Sequence, residues 1–501
     1  MKIKSVFCLL TILLLLVLLL LLLSACESSS NSEDLLNAIR ASDSPLVEKL
    51  VNKGVDLNHL TKKGTALHLA IQNRMVSSSL LLIDQGVNIN ALDSVGLTPI
   101  HWAARRALPQ VTEKLIKHGC NINIKDADGY TPLNYAVKAC NQEVIRILLR
   151  NGAVVYKNHL ANLSDGPFVD WTEKGMYAYY LKQDSLTGST FLSGKSFDRQ
   201  TRSFHGWAGD SMTYQIPDTK IPVAKIVTTE PIFVLGDIHG QFDRMVKNLK
   251  NHGVINEQLN WNWGKGHLVY VGDIFDRGLK VTETLWFIYR IGQEAKKAGG
   301  QVHFVFGNHE LMVLENDIRY IAKKYKNLCG NLGLNYTELF HPNSVLGEWL
   351  RSQNSTMQIN DVLFVHGGIS PNQVDSDISL EEINSLTRKF LLAGTNPINE
   401  EKYNQIMRSH GPFWYRGYFM SREKRYPKIS KDKLSEVLDK LKLSTIVVGH
   451  TETDILSSTF DGRIIDVNIP LADSNVPDQA LLIKDGQFYH LSENGSKKII
   501  K

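Results

Sequence analysis

Five short apolar runs, each stopping beside a residue that can bind a metal ion, constrain the fold of this 501-residue chain more than any other feature. In order they are IFVLGDIHG (232–240), HLVYVGDIFDRG (267–278), VHFVFGNHE (302–310), VLFVHGG (362–368) and TIVVGHT (445–451). Runs of this length that are rich in Val, Ile and Phe are typical of buried strands. The sequence therefore predicts five strands that deliver Asp, Asn and His to one edge of a covered α/β sheet, where such folds carry their chemistry.

Helical patterns alternate with the first of these strands. They read QFDRMVKNLKNHG (241–253), ETLWFIYRIGQEAKKAGG (283–300) and ELMVLENDIRYIAKKY (310–325). Alternation of strand and helix favours a layered α/β domain. Two longer insertions, at 311–361 and 371–410, are long enough to overhang the strand ends and shape the entrance to a site there.

The residue types at the strand ends point to a metal centre. Carboxylate, amide and imidazole ligands suit Mn, Fe or Zn, and the set contains no thiolate that would favour a Cys-rich zinc site. Six ligands are too many for one tetrahedral ion, so two ions that share a carboxylate are expected. Such a pair attracts and stabilises phosphate. The candidate ligands are Asp237, His239, Asp273, Asn308, His366 and His450.

The length and net charge of the chain limit the number of domains and the kinds of partner to expect. A chain of 501 residues is too long for a single core, so two or three domains are expected. Its formal net charge of +5 is too weak to predict binding to nucleic acid.

Residues 1–25 are predicted to be a lipoprotein signal peptide. Lys2 and Lys4 precede an apolar stretch, and Leu23-Ser24-Ala25-Cys26 resembles the bacterial motif that is cut before its Cys, whose sulfur is lipidated. An uncleaved membrane anchor is the alternative, because the stretch is about long enough to span a bilayer. Both interpretations place the rest of the chain in the bacterial cell envelope, facing outside the cytoplasm. Residues 26–32 are interpreted as a short tether.

A repeat of 32 or 33 residues follows the tether. Gly54, Gly86, Gly119 and Gly152 each follow a helical pattern. The C-terminal end of a helix commonly needs a residue in the left-handed conformation, which glycine adopts easily. The segments GTALHLA (64–70), GLTPIHWAA (96–104) and GYTPLNYAV (129–137) also recur, with His68 and His101 expected to be structural. This pattern resembles the ankyrin repeat, with about four copies over residues 33–155. The resemblance implies an all-α solenoid that binds a protein partner, and a simple spacer is the alternative.

Residues 156–228 lack helical periodicity and contain clusters of aromatic, Gly, Ser and Thr residues. They are predicted to form a β-rich segment that joins the repeats to a catalytic domain at residues 229–501.

The motifs GDIHG, GDIFDRG, GNHE, HGG and GHT, in this order, resemble those of the calcineurin-like metallophosphoesterase superfamily and its phosphoprotein phosphatase branch. GPFWYRGY (411–418), between HGG and GHT, is similar to the Shewanella-like, bacterial-type members of that branch. The resemblance covers roughly residues 160–490 and implies a layered α/β sandwich.

The resemblance also implies a role for each site residue. Asp237 and His239 would bind the first metal ion, Asp273 would bridge, and Asn308, His366 and His450 would bind the second. His309 would be the general acid, and Asp276 would orient it. Arg277 and Arg416 would bind the phosphate, together with the metal ligand Asn308.

The expected function is hydrolysis of phosphate monoesters, by direct attack of water, on phosphotyrosine or phosphoserine/threonine proteins. The two alternatives are hydrolysis of nucleotide polyphosphates or other small phosphoesters, and an ankyrin adaptor with an inactive phosphatase domain. The complete DRG triplet at 276–278 favours the phosphoprotein branch, and the intact ligand set argues against the adaptor.

Overall fold

The structure, a computed structural model of this chain, describes residues 32–139, 141–153, 164–172, 175–182, 185–192, 203–205, 213–215, 219–332, 335–376, 378–393, 400–420 and 426–501. The predicted signal peptide and Cys26 lie outside these residues. Within them, none of the helices is both long and apolar enough to cross a bilayer. The chain divides into two compact units, which are described separately: the repeats, and a unit that contains the five predicted strands.

The first unit confirms the predicted all-α ankyrin solenoid. Its helices are α1 (32–40), α2 (Ser44–Asn52), α3 (Ala66–Gln72), α4 (Val76–Asp84), α5 (Pro99–Arg105), α6 (Pro109–Lys117), α7 (Pro132–Lys138) and α8 (Gln142–Arg150). Helix α5 begins at a Pro that follows Thr98, an N-terminal arrangement that suits the fixed φ of Pro. The four repeat glycines all adopt left-handed φ angles, between +76° and +87°.

The two repeat histidines are structural, as expected. Nδ1 of His101 lies 2.8 Å from the Thr98 hydroxyl, and its Nε2 lies 3.2 Å from the carbonyl oxygen of Tyr130 in the next repeat. His68 makes the same pair of contacts, with Thr65 and with Leu97. Each buried ring therefore links the start of one helix to the following repeat.

The described strands all follow the repeats in sequence, and most of them belong to the second unit. They are β1 (Ser164–Thr172), β2 (Gly175–Lys182), β3 (Ser185–Leu192), β4 (Ser203–His205), β5 (Thr213–Gln215), β6 (Lys225–Ile226), β7 (Ile232–Leu235), β8 (His267–Tyr270), β9 (Gln301–Phe304), β10 (Thr356–Ile359), β11 (Val362–Val365), β12 (Thr445–Val448), β13 (Ser457–Thr459), β14 (Ile464–Asp466), β15 (Gln479–Lys484), β16 (Gln487–Ser492) and β17 (Lys497–Ile499).

The helices of this unit lie between its strands. They are α9 (Phe242–Asn251), α10 (Val281–Lys297), α11 (Asn308–Leu314), α12 (Lys323–Leu332), a 3₁₀ helix (Tyr336–Phe340), α13 (Val345–Ser352), α14 (Pro371–Asp375), α15 (Leu380–Ala393), α16 (Glu400–Met407) and α17 (Lys431–Leu441).

Two six-stranded sheets form the centre of the second unit. Their strand orders are β13-β14-β12-β11-β10-β6 and β17-β16-β15-β7-β8-β9. Strands β7, β8 and β9 are parallel in one sheet, and β11, β12 and β14 are parallel in the other. Because parallel strands present their carboxyl ends at the same edge, all five predicted ligand strands can contribute to a single site.

Alternate strand residues pack between the sheets or against the covering helices. Val234, Val269, Phe364 and Val447 belong to one apolar core whose members come from both sheets. Their neighbours on β11 and β12 belong to a second core with α17, which includes Leu434. Burial of each strand on both faces explains the continuous apolar runs, and the layered α/β prediction is confirmed.

Candidate metal centre

The predicted ligand residues lie at the ends of strands from both sheets. Asp237 and His239 follow β7, and Asp273 follows β8. Asn308 and His309 open α11 after β9, and the remaining two, His366 and His450, follow β11 and β12. All seven side chains belong to buried residues.

Asp273 lies at the centre of this set. Its Oδ2 atom lies 3.2 Å from Nε2 of His366 and 3.8 Å from Nε2 of both His239 and His309. Two groups of side chains that can each hold a cation share this carboxylate, His239–Asp273–His309 and Asp273–His366–His450. Burial raises the pKa of Asp273, but the nearby His366 and His309 outweigh burial and hold that pKa well below its usual value.

Hydrogen bonds fix the ring orientation of two histidines. Nδ1 of His239 lies 2.7 Å from the Phe275 carbonyl oxygen, and Nδ1 of His366 lies 2.7 Å from that of Val271. Because a carbonyl oxygen only accepts, Nδ1 carries a proton in each ring, and Nε2 is the nitrogen that faces the site.

Unpartnered nitrogens show that the site suits a cation. In the described part of the chain, Nε2 of His239 and Nε2 of His450 are buried without a hydrogen-bond partner. Burying such atoms is costly unless they bind something. Burial is also the main cause that lowers the pKa of His239 to about 3, so this ring stays neutral and able to ligate at neutral pH.

Asp237 is in neither geometric group, although the resemblance implies that it binds the first ion. Its Oδ1 atom accepts a hydrogen bond from the His450 backbone N–H at 3.2 Å and lies 3.8 Å from Nδ1 of His366. His309 occupies its place in the group with His239 and Asp273. Burial raises the pKa of Asp237 to about 7, although the nearby His366 acts in the opposite direction.

His309 and Asp276 form a close pair. Nδ1 of His309 lies 2.5 Å from Oδ2 of Asp276, and both residues are buried. Burial lowers the pKa of His309, but Asp273 and Asp276 outweigh it and the net shift is upward. The pair leaves Nε2 of His309 as the nitrogen that faces Asp273.

The two predicted phosphate-binding arginines flank the centre. Nη2 of Arg416 lies 3.4 Å from Nδ1 of His450, beside a cavity of about 220 Å³. That cavity is also lined by Met407, Arg408 and Trp414, so the end of the 371–410 insertion does reach the entrance. Arg277 is 42% exposed and forms an ion pair with Glu452, which the sequence reasoning did not identify.

Left-handed backbone marks the site as strongly as its side chains do. The φ angles of site residues in this region are 47° at His239, 53° at Asp273, 70° at Asp276, 60° at Arg277 and 65° at His450. Residues with a side chain avoid this region, at a cost of order 1–3 kcal/mol each. Strained conformations of this kind cluster at functional sites.

Glu310 is a site residue that sequence reasoning missed. Its buried carboxylate accepts hydrogen bonds from the backbone N–H groups of Gly307 at 2.8 Å, Asp273 at 2.8 Å, Ile274 at 2.7 Å and Phe275 at 3.1 Å. It thereby fixes the backbone from Asp273 to Phe275 and joins it to Gly307, which precedes α11. One sequence signal could have identified it. Glu310 is the third residue of α11, a position from which a Glu side chain can cap the start of a helix.

Comparisons with known proteins agree with this geometry. The family described as calcineurin-like phosphoesterase matches residues 230–453, and ankyrin repeats (3 copies) match residues 35–126 and 78–159. Shewanella-like protein phosphatase 1 of Plasmodium berghei is 30% identical over 225 residues, 44% of this chain and 60% of that protein. Shewanella-like protein phosphatase 2 of Arabidopsis thaliana is 26% identical over 204 residues, 32% of this chain and 52% of that protein. The chain thus spans between half and two thirds of these relatives.

A solved structure gives wider coverage. The crystal structure of the cold-active protein-tyrosine phosphatase of a psychrophilic Shewanella species is 30% identical to this chain, with a TM-score of 0.61. The match covers 68% of this chain and 99% of that one. The match covers nearly all of the solved chain, and the two-sheet fold and the residues at its strand ends agree with it. The chain therefore belongs to the calcineurin-like phosphoesterase family.

Proposed function

We propose that this protein is a metal-dependent phosphomonoesterase that acts on phosphorylated proteins. The observation that carries the proposal is the cluster of buried metal-ligand residues around Asp273, with the buried His309–Asp276 pair beside it. The first feature suits phosphate binding and the second suits proton transfer, and phosphate ester hydrolysis requires both.

The family pattern divides the predicted ligands between two ions. Asp237, His239 and Asp273 would hold one, and Asp273, Asn308, His366 and His450 the other. When bound, two divalent ions of Mn, Fe or Zn would polarise phosphoryl oxygens and acidify an attacking water. The orphaned Nε2 atoms of His239 and His450 support this division.

His309 is the residue best placed to protonate the leaving oxygen. Asp276 holds Nδ1 of its ring and stabilises the charged form, so Nε2 can carry the proton that the departing alkoxide or phenoxide needs. Arg277 and Arg416 would bind the remaining phosphate oxygens, for which a planar guanidinium is well shaped. Asn308 would add its amide to both the metal and the phosphate.

A panel of substrates tests the proposal. Purified protein reconstituted with Mn, Fe or Zn would be assayed for phosphate release from phosphotyrosine and phosphoserine/threonine peptides and from bis(5'-nucleosyl) tetraphosphate. The proposal predicts that a phosphopeptide has the highest kcat/KM. No hydrolysis of any substrate with any metal would instead support an ankyrin adaptor with an inactive domain.

Hydrolysis of nucleotide polyphosphates is the second candidate, because one similarity favours it. The symmetrical bis(5'-nucleosyl)-tetraphosphatase of Vibrio cholerae is 31% identical over 140 residues, 28% of this chain and 45% of that protein. A tetraphosphate substrate that exceeds every phosphopeptide in kcat/KM would replace the first candidate with this one.

We also propose that the chain is lipid-anchored through Cys26 in a bacterial envelope and that its ankyrin repeats bind a protein partner. The first part is supported by the Lys2–Cys26 sequence pattern, and the second by the repeat architecture. Metabolic labelling with a fatty acid should label the wild type and not Cys26→Ser. Deletion of residues 33–155 should change partner capture while activity on p-nitrophenyl phosphate persists.

A further inference from the structure

The loop that carries Arg277 needs support from outside itself. Asp276 and Arg277 both adopt left-handed backbone angles, with φ of 70° and 60°. Residues with side chains persist in this region only where surrounding structure fixes them. The contacts that fix the far end of this loop come from residues that neither the metal centre nor the His309–Asp276 pair uses.

The beginning of α12 provides these contacts. The Lys324 ammonium donates a hydrogen bond to the carbonyl oxygen of Leu279 at 2.8 Å, and the Tyr325 hydroxyl donates to the same oxygen at 3.1 Å. That hydroxyl also accepts from the Val281 N–H at 2.8 Å. Just before α12, the carbonyl oxygen of Tyr320 accepts from the Arg277 N–H at 3.0 Å. One short segment therefore holds the loop at Arg277 and again two residues later.

Lys324 is itself held by a buried carboxylate on β1. Its Nζ atom lies 2.9 Å from Oδ2 of Asp165 and 3.6 Å from Oε1 of Glu283 on α10. The Asp165 side chain is 1% exposed and that of Lys324 is 13% exposed, so water screens this ion pair weakly. Strand β1 precedes the family match at 230–453, so this support comes from outside the matched phosphoesterase segment.

We infer that Lys324, fixed by Asp165, is a positioning residue that holds the Arg277 loop in its phosphate-binding conformation. The inference rests on the proposed phosphatase function, in which Arg277 binds the substrate phosphate. Lys324 acts through the Leu279 carbonyl, and Asp165 acts through Lys324. Loss of either contact displaces the guanidinium from the phosphate while the ligand set remains in place.

The test compares Lys324→Met with Lys431→Met in the full chain. Lys431 forms an exposed ion pair with Asp461, so it provides the same substitution without a buried partner. We expect Lys324→Met to raise KM for p-nitrophenyl phosphate and the inhibition constant of inorganic phosphate roughly tenfold, with kcat within about twofold. Lys431→Met should change neither constant. An unfolded fraction lowers apparent kcat without changing KM, so a purely structural role gives the opposite pattern.

A double-mutant cycle assigns the effect to Arg277. Arg277→Ala should raise KM by itself, and adding Lys324→Met should then raise it little further, because the two changes disable one interaction. Independent, multiplying effects would overturn the inference. Asp165→Asn preserves side-chain shape and removes the charge, so it provides a milder second variant in which KM should also rise.

The outcomes separate this inference from the proposed function. If Arg277→Ala raises KM while Lys324→Met and Asp165→Asn leave KM unchanged, the positioning role is wrong and the phosphatase function stands. If Arg277→Ala leaves KM unchanged, the phosphate-binding role of Arg277 within the proposed function fails, and the positioning inference fails with it.

Discussion

The four repeat glycines and the metal centre use the left-handed region of backbone space in different ways. In the repeats, Gly54, Gly86, Gly119 and Gly152 adopt it at the ends of helices. In the phosphoesterase unit, His239, Asp273, Asp276, Arg277 and His450 adopt it at strand ends. Glycine makes the conformation inexpensive where only a turn is needed. Where the side chain performs chemistry, glycine is impossible and the surrounding hydrogen bonds must offset the strain.

Glu310 shows how that offset works. Four backbone N–H groups, including those of Asp273 and Gly307, donate to one buried carboxylate. Hydrogen bonds to a charged acceptor are about twice as strong as neutral ones, so a single side chain can hold a strained segment. The turns at the four repeat glycines need no such carboxylate, because glycine adopts these angles without strain.

The largest effect should come from removing the charge of the shared carboxylate. Asp273→Asn should lower metal-dependent hydrolysis of p-nitrophenyl phosphate by roughly a thousandfold or more, since both potential ion groups contain this side chain. Circular dichroism should show an intact fold. The matched control is Asp243→Asn, at an exposed carboxylate paired with Lys280, which should retain full activity. A fully active Asp273→Asn protein would rule out two ions that share this residue.

His309→Ala should have the next largest effect, and one that depends on the leaving group. Activity on phosphoserine peptides, whose alkoxide needs a proton, should fall by about a hundredfold or more, whereas the loss on p-nitrophenyl phosphate should be much smaller. The measurement is kcat for both substrates in the variant and in His118→Ala, a substitution in the repeats. Equal losses on the two substrates would remove His309 from the role of general acid.

Arg277→Gly should separate strain from chemistry. Glycine tolerates the φ of 60° at this position, and the lost ion pair with Glu452 is exposed on both sides. The free energy of unfolding should therefore change by less than about 1 kcal/mol, while KM for phosphoesters rises roughly tenfold or more. Urea unfolding and steady-state kinetics check the two parts. Strong destabilisation at unchanged KM would show that Arg277 is structural.

Gly86→Ala should give the smallest effect and the reverse pattern. A Cβ atom at this position meets nothing within 4 Å, so its cost comes only from the φ of +78°. We expect the repeats to lose about 1 kcal/mol of stability, with kcat and KM unchanged. A change in KM would instead indicate that the repeats influence catalysis.

The parts of the structure that the sequence predicted well are those with local signals. Apolar runs stopped by Gly identified β7, β8, β9, β11 and β12, and Gly at a fixed spacing identified the ends of the repeat helices. The ligand residues were found because they directly follow those strands.

Contacts between distant parts of the chain were not predictable in the same way. The pairing of Arg277 with Glu452 and of Lys324 with Asp165 joins segments that share no periodic pattern. The left-handed angles at His239 and Asp273 could not be predicted from the sequence either. The residue types there serve the chemistry of the site and do not favour this backbone conformation. The role of Glu310 needed the structure to show which N–H groups it faces.

The most direct test of the central claim is the metal content of the active protein. Metal-free protein would be titrated with Mn, Fe or Zn, with bound ions counted by mass spectrometry and phosphatase activity measured at each step. Two ions that share Asp273 predict that activity reaches its maximum at about two equivalents per chain and that Asp273→Asn binds fewer ions. Full activity at one equivalent, or in protein that holds no metal, would contradict the account.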